Sequence, residues 1–293
     1  MSRSDSAKLH VSISRAVVGV DGSPESLAAL EWLAGVIEAD GTIVAVGVGN
    51  DADRTRLEHE WTKGRAGRAT VQCRATEGEP AEVLLAVADE VDADLVVVGV
   101  HPKLRLAPRT IGHVTADLIR NADRPVVVVD GPQRVDVPGA TIVVDTASGK
   151  ATDAAVRWAA GFADAHGSAL ELVHSRPNQP IFSPDGLLDA LALYIDPDVL
   201  GEWAVQELTA LADELQGATE QDLQIGWTSQ LGRAGAHLVE ASQMAALVVI
   251  GRNTLPGLDR VIPHVLRQVV TKAPCPVVIV PPLSPDEPTD PST

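Results

Sequence analysis

Cysteine is nearly absent: Cys73 and Cys275 are the only two in 293 residues. Neither sits in a CxxC spacing or beside a histidine cluster, which argues against a disulfide framework or a zinc site and makes a reducing cytoplasm the expected compartment. Basic residues are scarce too, 23 Lys and Arg against 40 Asp and Glu, for a formal net charge of −17 and an isoelectric point near 4.7. Nucleic-acid backbones and anionic membranes need a basic face, and none is visible, so neither is an expected partner. No apolar run approaches the length needed to span a bilayer, and the polar start Met1-Ser2-Arg3-Ser4-Asp5-Ser6 lacks the apolar core of a signal peptide. A soluble, cytoplasmic protein is the expectation.

What is present is one pattern written twice. Ala93-Asp94-Leu95-Val96-Val97-Val98-Gly99 leads through Gly112-His113 to Arg124-Pro125-Val126-Val127-Val128-Val129. An apolar run ending in Gly, a basic loop, a helical segment and a second β-branched run read as strand, loop, helix, strand, a parallel crossover unit. Ala246-Leu247-Val248-Val249-Ile250-Gly251 leads through His264 to Cys275-Pro276-Val277-Val278-Ile279-Val280 in the same way. Two domains follow, each long enough to bury its own core.

The fold class expected is α/β: two repeated open-sheet domains, each a five-stranded, mainly parallel sheet with helices on both faces. The first spans residues 15–131 after an arm, 1–14, expected to be loosely ordered. It opens with a strand over Ala16–Val20, then Ser23 as N-cap and Pro24 at the first helical position. Strands over Ile43–Val48 and Val71–Ala75, a polar helix over Asp51–Arg68, a helix over Pro80–Val91 and one from about Thr110 to Asn121 complete it. Residues 132–139 have the composition of a linker. The second domain spans 140–282, with Asp145 expected in the place of Asp21 and Trp158 in that of Trp32. The Trp pair is separated by 126 positions and the Gly99–Gly251 pair by 152, so the second copy carries 26 residues more. Prolines place this insertion around Pro177–Leu200. Leu187, Leu188, Leu191, Tyr194 and Ile195 give it a short apolar helical face that reads as a local helix packed on its own domain, with a lid or dimer contact as the alternative. A helix over Trp203–Leu215, a strand over Leu223–Ser229 and a helix over Ala234–Met244 restore the pattern. The acidic, Pro-rich tail 283–293 is expected to be disordered.

In open α/β sheets ligands bind outside the carboxyl ends of the strands, which points to Gly99 and the loop to Gly112. Lys103, Arg105 and Arg109 lie in this loop with His101, and no acidic residue falls between the two glycines. In an acidic chain such a cluster would hold a phosphate or another anion. Solvated loop side chains are the alternative reading.

The motifs Val18-Gly19-Val20-Asp21-Gly22-Ser23, Gly78-Glu79-Pro80-Ala81 and Ala93-Asp94-Leu95-Val96-Val97-Val98-Gly99, with a Pro-Val-Val run closing each copy, resemble the universal stress protein family in a tandem form. In that family's ATP-binding branch, Gly, two residues, Gly, nine residues, then Gly and Ser or Thr follow the fourth strand. The resemblance implies a phosphate cradle and an Asp facing the adenine end. The candidate nucleotide set in the first copy is Asp21, Gly22, Val46, Gly99, Gly112, His113 and Val114, with the loop's Lys103, Arg105 and Arg109. Pro102 stands for the middle Gly and His113 for the Ser or Thr, so the cradle loses a backbone donor. In the second copy Asp145, Gly251 and His264 are the candidates, but Thr254 and Pro263-His264 replace the cradle residues. ATP or another adenine nucleotide is thus expected in the first domain rather than the second. The two histidines are read either as phosphate donors or as side chains satisfying local backbone.

The leading functional expectation is a non-enzymatic stress-response protein with a degraded ATP site. An interaction scaffold that needs no nucleotide is the alternative, and a nucleotide-hydrolysing or nucleotide-activating enzyme comes third. The resemblance further implies that Val126–Val129 and Val277–Val280 pair, joining the two domains or two chains as a homodimer, with a protein partner also conceivable. No catalytic residue and no metal ligand is assigned.

Overall fold

A computed structural model of the chain describes residues 8–49, 69–100, 111–131, 139–146, 150–176, 197–252 and 262–282. Two expected features, the polar helix over Asp51–Arg68 and the apolar face of the insertion, lie outside the described residues. The first half contains β1 (Arg15–Gly19), α1 (Pro24–Val36), β2 (Thr42–Val48), β3 (Thr70–Thr76), α2 (Pro80–Glu90), β4 (Leu95–Gly99), α3 (His113–Asn121) and β5 (Val126–Val129). The second contains β6 (Thr141–Asp145), α4 (Lys150–His166), β7 (Ala169–Arg176), α5 (Pro197–Ala218), β8 (Ile225–Leu231), α6 (Ala234–Ala241), β9 (Ala245–Gly251), α7 (His264–Lys272) and β10 (Val277–Val280). The described part of α5 begins within the segment expected as insertion. α6 stops three residues before the expected Met244, which is exposed.

All ten strands described belong to one sheet, in the order β3-β2-β1-β4-β5-β10-β9-β6-β7-β8. Within each half every pairing is parallel. The halves meet through β5 and β10, which run antiparallel with Val127 opposite Val278. The closing strands thus pair inside the chain, so a homodimer would have to use another surface.

Strands such as Val126–Val129 are apolar throughout because both faces are covered. Ala16, Val18, Val127 and Val278 face α1, α4 and α5, whereas Val17, Val96, Val126 and Val128 face α2, α3, α6 and α7. Trp32 lies fully buried in the first layer, and its counterpart Trp158 stacks on Phe162 with ring centroids 5.0 Å apart.

Residues 8–14 differ from the loosely ordered arm expected. Ile13 is buried, the Leu9 N–H donates to the Ala218 carbonyl of α5 at 2.7 Å, and Gly161 of α4 gives Val11 its room. The arm's apolar residues are drawn across to the second half because that half offers them a packed face.

Asp94 explains part of the recurring motif. Its Oδ2 accepts the Ser14 and Arg15 N–H groups, each at 2.8 Å, and the Ser14 hydroxyl at 3.2 Å. This closes the start of β1 against β4. The second half has Ala246 in the corresponding place, and there the pairing jumps from Thr141 opposite Ala245 to Ile142 opposite Leu247. Asp94→Ala should therefore lower unfolding stability by about 1–2 kcal/mol, through two backbone donors losing a charged acceptor, as denaturant titration would show.

Neither cysteine is in a disulfide. Burial pushes the Cys275 thiol up to about 12, because a thiolate there would lose its hydration. Native protein at pH 8 should therefore react with a thiol reagent at Cys73 alone, with Cys275 reacting on unfolding. Rapid labelling of Cys275 in a folded Cys73→Ser variant would contradict this.

Candidate functional site

After β1 the chain turns through Asp21-Gly22-Ser23. Gly22 holds φ at +80°, open to glycine without a Cβ penalty. Asp21 Oδ1 accepts the Ser23 N–H at 3.0 Å, closing an Asx turn. Ser23 Oγ accepts the Ser26 N–H at 3.1 Å, and the Ser26 hydroxyl donates to the Ser23 carbonyl at 3.0 Å. With Pro24 next in line, α1 starts fully capped, as its sequence predicts. The Asp21 side chain stays at the surface of this turn.

Because β1 pairs with β4, the turn stands beside Gly99. A Cβ on Gly99 would lie 2.4 Å from the Glu25 carbonyl carbon and 2.6 Å from the Ser26 nitrogen. The first turn of α1 crossing the strand end is thus sufficient reason for glycine here. Gly112 is different. It is the N-cap of α3 with φ at −63°, which any residue adopts, and a Cβ there would meet nothing within 4 Å. Neither conformation nor packing among the described residues demands glycine at 112. Among the described residues, its missing side chain leaves open space over a helix start that no side chain caps. The first amides of such a helix have no intrahelical acceptor and point outward, an arrangement suited to an anion.

His113 is exposed at the first position of α3, and Val114 is half-buried against the core on the α2 side. Val46 is buried in that core, and its carbonyl accepts the Val20 N–H at 2.9 Å. Lys103, Arg105 and Arg109 lie outside the described residues.

In the second half the strand register corrects one expectation. Asp145 pairs with Val173 as Gly19 pairs with Val46, and the Thr146 N–H donates to the Val173 carbonyl as that of Val20 does to Val46. Asp145 therefore stands where Gly19 does, two residues short of the place of Asp21, which falls on Ala147. It is also buried, at 6% exposure, unlike Asp21. Equal acidity near a strand end misled the alignment; the hydrogen-bonded register decides it. Gly251 is buried at the end of β9, and His264 is exposed at the start of α7, which follows Pro263 in place of Gly112.

Two features escaped the sequence reading. The rim of β6 and β7 is polar in the second half: Ser175 Oγ lies 2.9 Å from His237 Nδ1, and Thr146 Oγ1 lies 3.3 Å from His174 Nδ1. By register, Val20, Gly47, Val48 and Val83 occupy these positions in the first half. The signal was a break in apolar residues at corresponding strand ends. The other is Arg252, directly after β9. One of its terminal nitrogens donates to the carbonyls of Ile119, Arg120 and Ala122 at 2.9, 3.0 and 2.7 Å, across the seam. No local pattern marks it.

The family model described as the universal stress protein family matches residues 12–130 and 140–281. The chain belongs to the universal stress protein family. Among curated relatives, universal stress protein Rv1996 of Mycobacterium tuberculosis is 25% identical over 90% of this chain and 93% of its own length. A solved universal stress protein of Archaeoglobus fulgidus superposes with a TM-score of 0.66 at 15% identity, covering 92% of this chain and 98% of that one. A putative universal stress protein of Pseudomonas aeruginosa gives 0.60 at 16% identity, covering 92% and 94%. At such identities the structural likeness establishes the fold, and the two universal stress domains are read from the tandem match.

Among the described residues no group of three or more His, Cys, Asp or Glu side chains could hold a metal, and no helix is long and apolar enough to cross a membrane. The two glycines of this universal stress site make a paired prediction. Gly99→Ala forces its Cβ against backbone and should cost about 1–3 kcal/mol. Gly112→Ala should change stability by no more than about 0.5 kcal/mol. Thermal or denaturant unfolding of both variants checks the contrast.

Proposed function

We propose that the protein is a non-catalytic stress-response binding protein whose first half takes an adenine nucleotide, ATP by the family's pattern. The observation that carries this reading is Gly112: nothing among the described residues requires it or caps the helix start that it opens. In this reading the first amides of α3 receive phosphate oxygens, His113 adds an exposed donor, and the Asp21-Gly22-Ser23 turn borders the opposite side. The residues present fit the group in the first half. Asp21 Oδ1 is already engaged by the Ser23 N–H, which favours a binding wall over a base for turnover.

The second half fits less well. Pro263 fills the place of Gly112, Asp145 is buried two residues short of the place of Asp21, and Arg252 is turned toward the first half. A single nucleotide per chain is the stoichiometry proposed.

Calorimetric titration with ATP and AMP, with and without magnesium, tests it, together with analysis of denatured protein for nucleotide carried through purification. One equivalent should bind to the wild type and be lost in Gly112→Asp. That variant separates binding from folding, because Asp is a favoured N-cap and should hold or raise stability by up to about 1 kcal/mol while repelling phosphate. Absence of binding at millimolar nucleotide would sink the reading and leave the scaffold in its place.

A further inference from the structure

The antiparallel seam places the carboxyl ends of the strands of the two halves at opposite edges of the sheet. α3 begins at the crevice of the first half and runs back toward the edge where the crevice of the second half opens. At nine residues it spans about 13 Å. Its far end is met by Arg252, the first residue beyond β9. The three carbonyls that Arg252 engages belong to the last turn of α3 and its C-cap, Ala122, and these are the groups a helix leaves without partners. A cation there also opposes the negative end of the helix dipole.

The contact is partly buried. Arg252 Nε is buried with no hydrogen-bond partner among the described residues, and burial lowers the guanidinium's pKa, partly offset by the nearby Asp123 carboxylate. Asp123 is itself held below the usual carboxylate range, chiefly by its hydrogen bond from Arg124. The pseudo-two-fold is broken here as well. The Arg252 N–H donates to Val280 as the Val100 N–H donates to Val129, so valine occupies the matching position in the first half. The clamp therefore works in one direction across the seam.

We propose that Arg252 is a positioning residue by which the second half fixes the phosphate-facing helix of the first, so that the nucleotide affinity of the first half depends on this contact across the seam. This rests on nucleotide binding in the first half. A helix held at its far end keeps its first amides fixed for the anion, whereas a released helix must be ordered by the ligand at a cost in affinity.

The test is ATP titration of full-length wild type, Arg252→Met, Arg252→Lys and Asp164→Asn, well below their melting temperatures. Asp164 is the control, a buried anchor that accepts the Gln221 N–H at 2.8 Å at the edge away from the second crevice. Arg252→Met should weaken ATP binding by about three- to tenfold, and Arg252→Lys should recover most of that loss. Asp164→Asn should lower the melting temperature and leave affinity unchanged. Wild-type affinity in folded Arg252→Met would overturn the proposal and leave the nucleotide site standing. A wild type that binds no ATP would overturn the nucleotide reading and the coupling with it.

Discussion

The pairing of β5 with β10 governs the rest of the molecule. Each half ends on a short, wholly apolar strand whose outer edge would otherwise present unpaired amides and carbonyls to water or to another chain. Joining the two edges antiparallel satisfies both and merges two five-stranded sheets into one of ten. Both apolar layers then run across the seam, so residues from the two halves share one core on each side of the sheet.

From that pairing comes a division of labour. A pseudo-two-fold axis turns the two crevices to opposite edges and lets a helix that opens at one crevice end near the other. The arm at residues 8–14 and the Arg252 clamp both exploit this, reaching from one half into the other at places where an isolated domain would meet solvent. His166 does so as well, lying 3.1 Å from the Val36 carbonyl at the end of α1.

Duplication has been followed by divergence at the sites rather than in the scaffold. β1 and β6 keep the same apolar interior, yet their carboxyl ends differ. The first carries a capped Asx turn with an exposed carboxylate, while the second ends in a buried carboxylate beside a rim of hydroxyls and imidazoles. Even Asp94, which reads as a family signature, is a structural acceptor for the start of β1. Its absence at Ala246 coincides with a shifted register.

The sequence by itself determined the family, the α/β class and the two-fold repetition, because continuous β-branched runs, capped helix starts and a repeated motif are local patterns; whether the closing strands join the two domains or two chains it left open, and the structure pairs them within the chain. The sequence also named the turn at Asp21 and the helix start at Gly112, whose chemistry lies within a few consecutive residues. Only the tertiary structure decided what surrounds those residues. Gly99 and Gly112 look alike in the chain and differ in whether another backbone lies over them, while Asp145 and Asp21 differ in hydrogen-bonded register. Arg252 has no local signature because its three acceptors lie some 130 residues away. Contacts between chain segments remote in sequence are made by the folded sheet, and no periodicity within either segment encodes them.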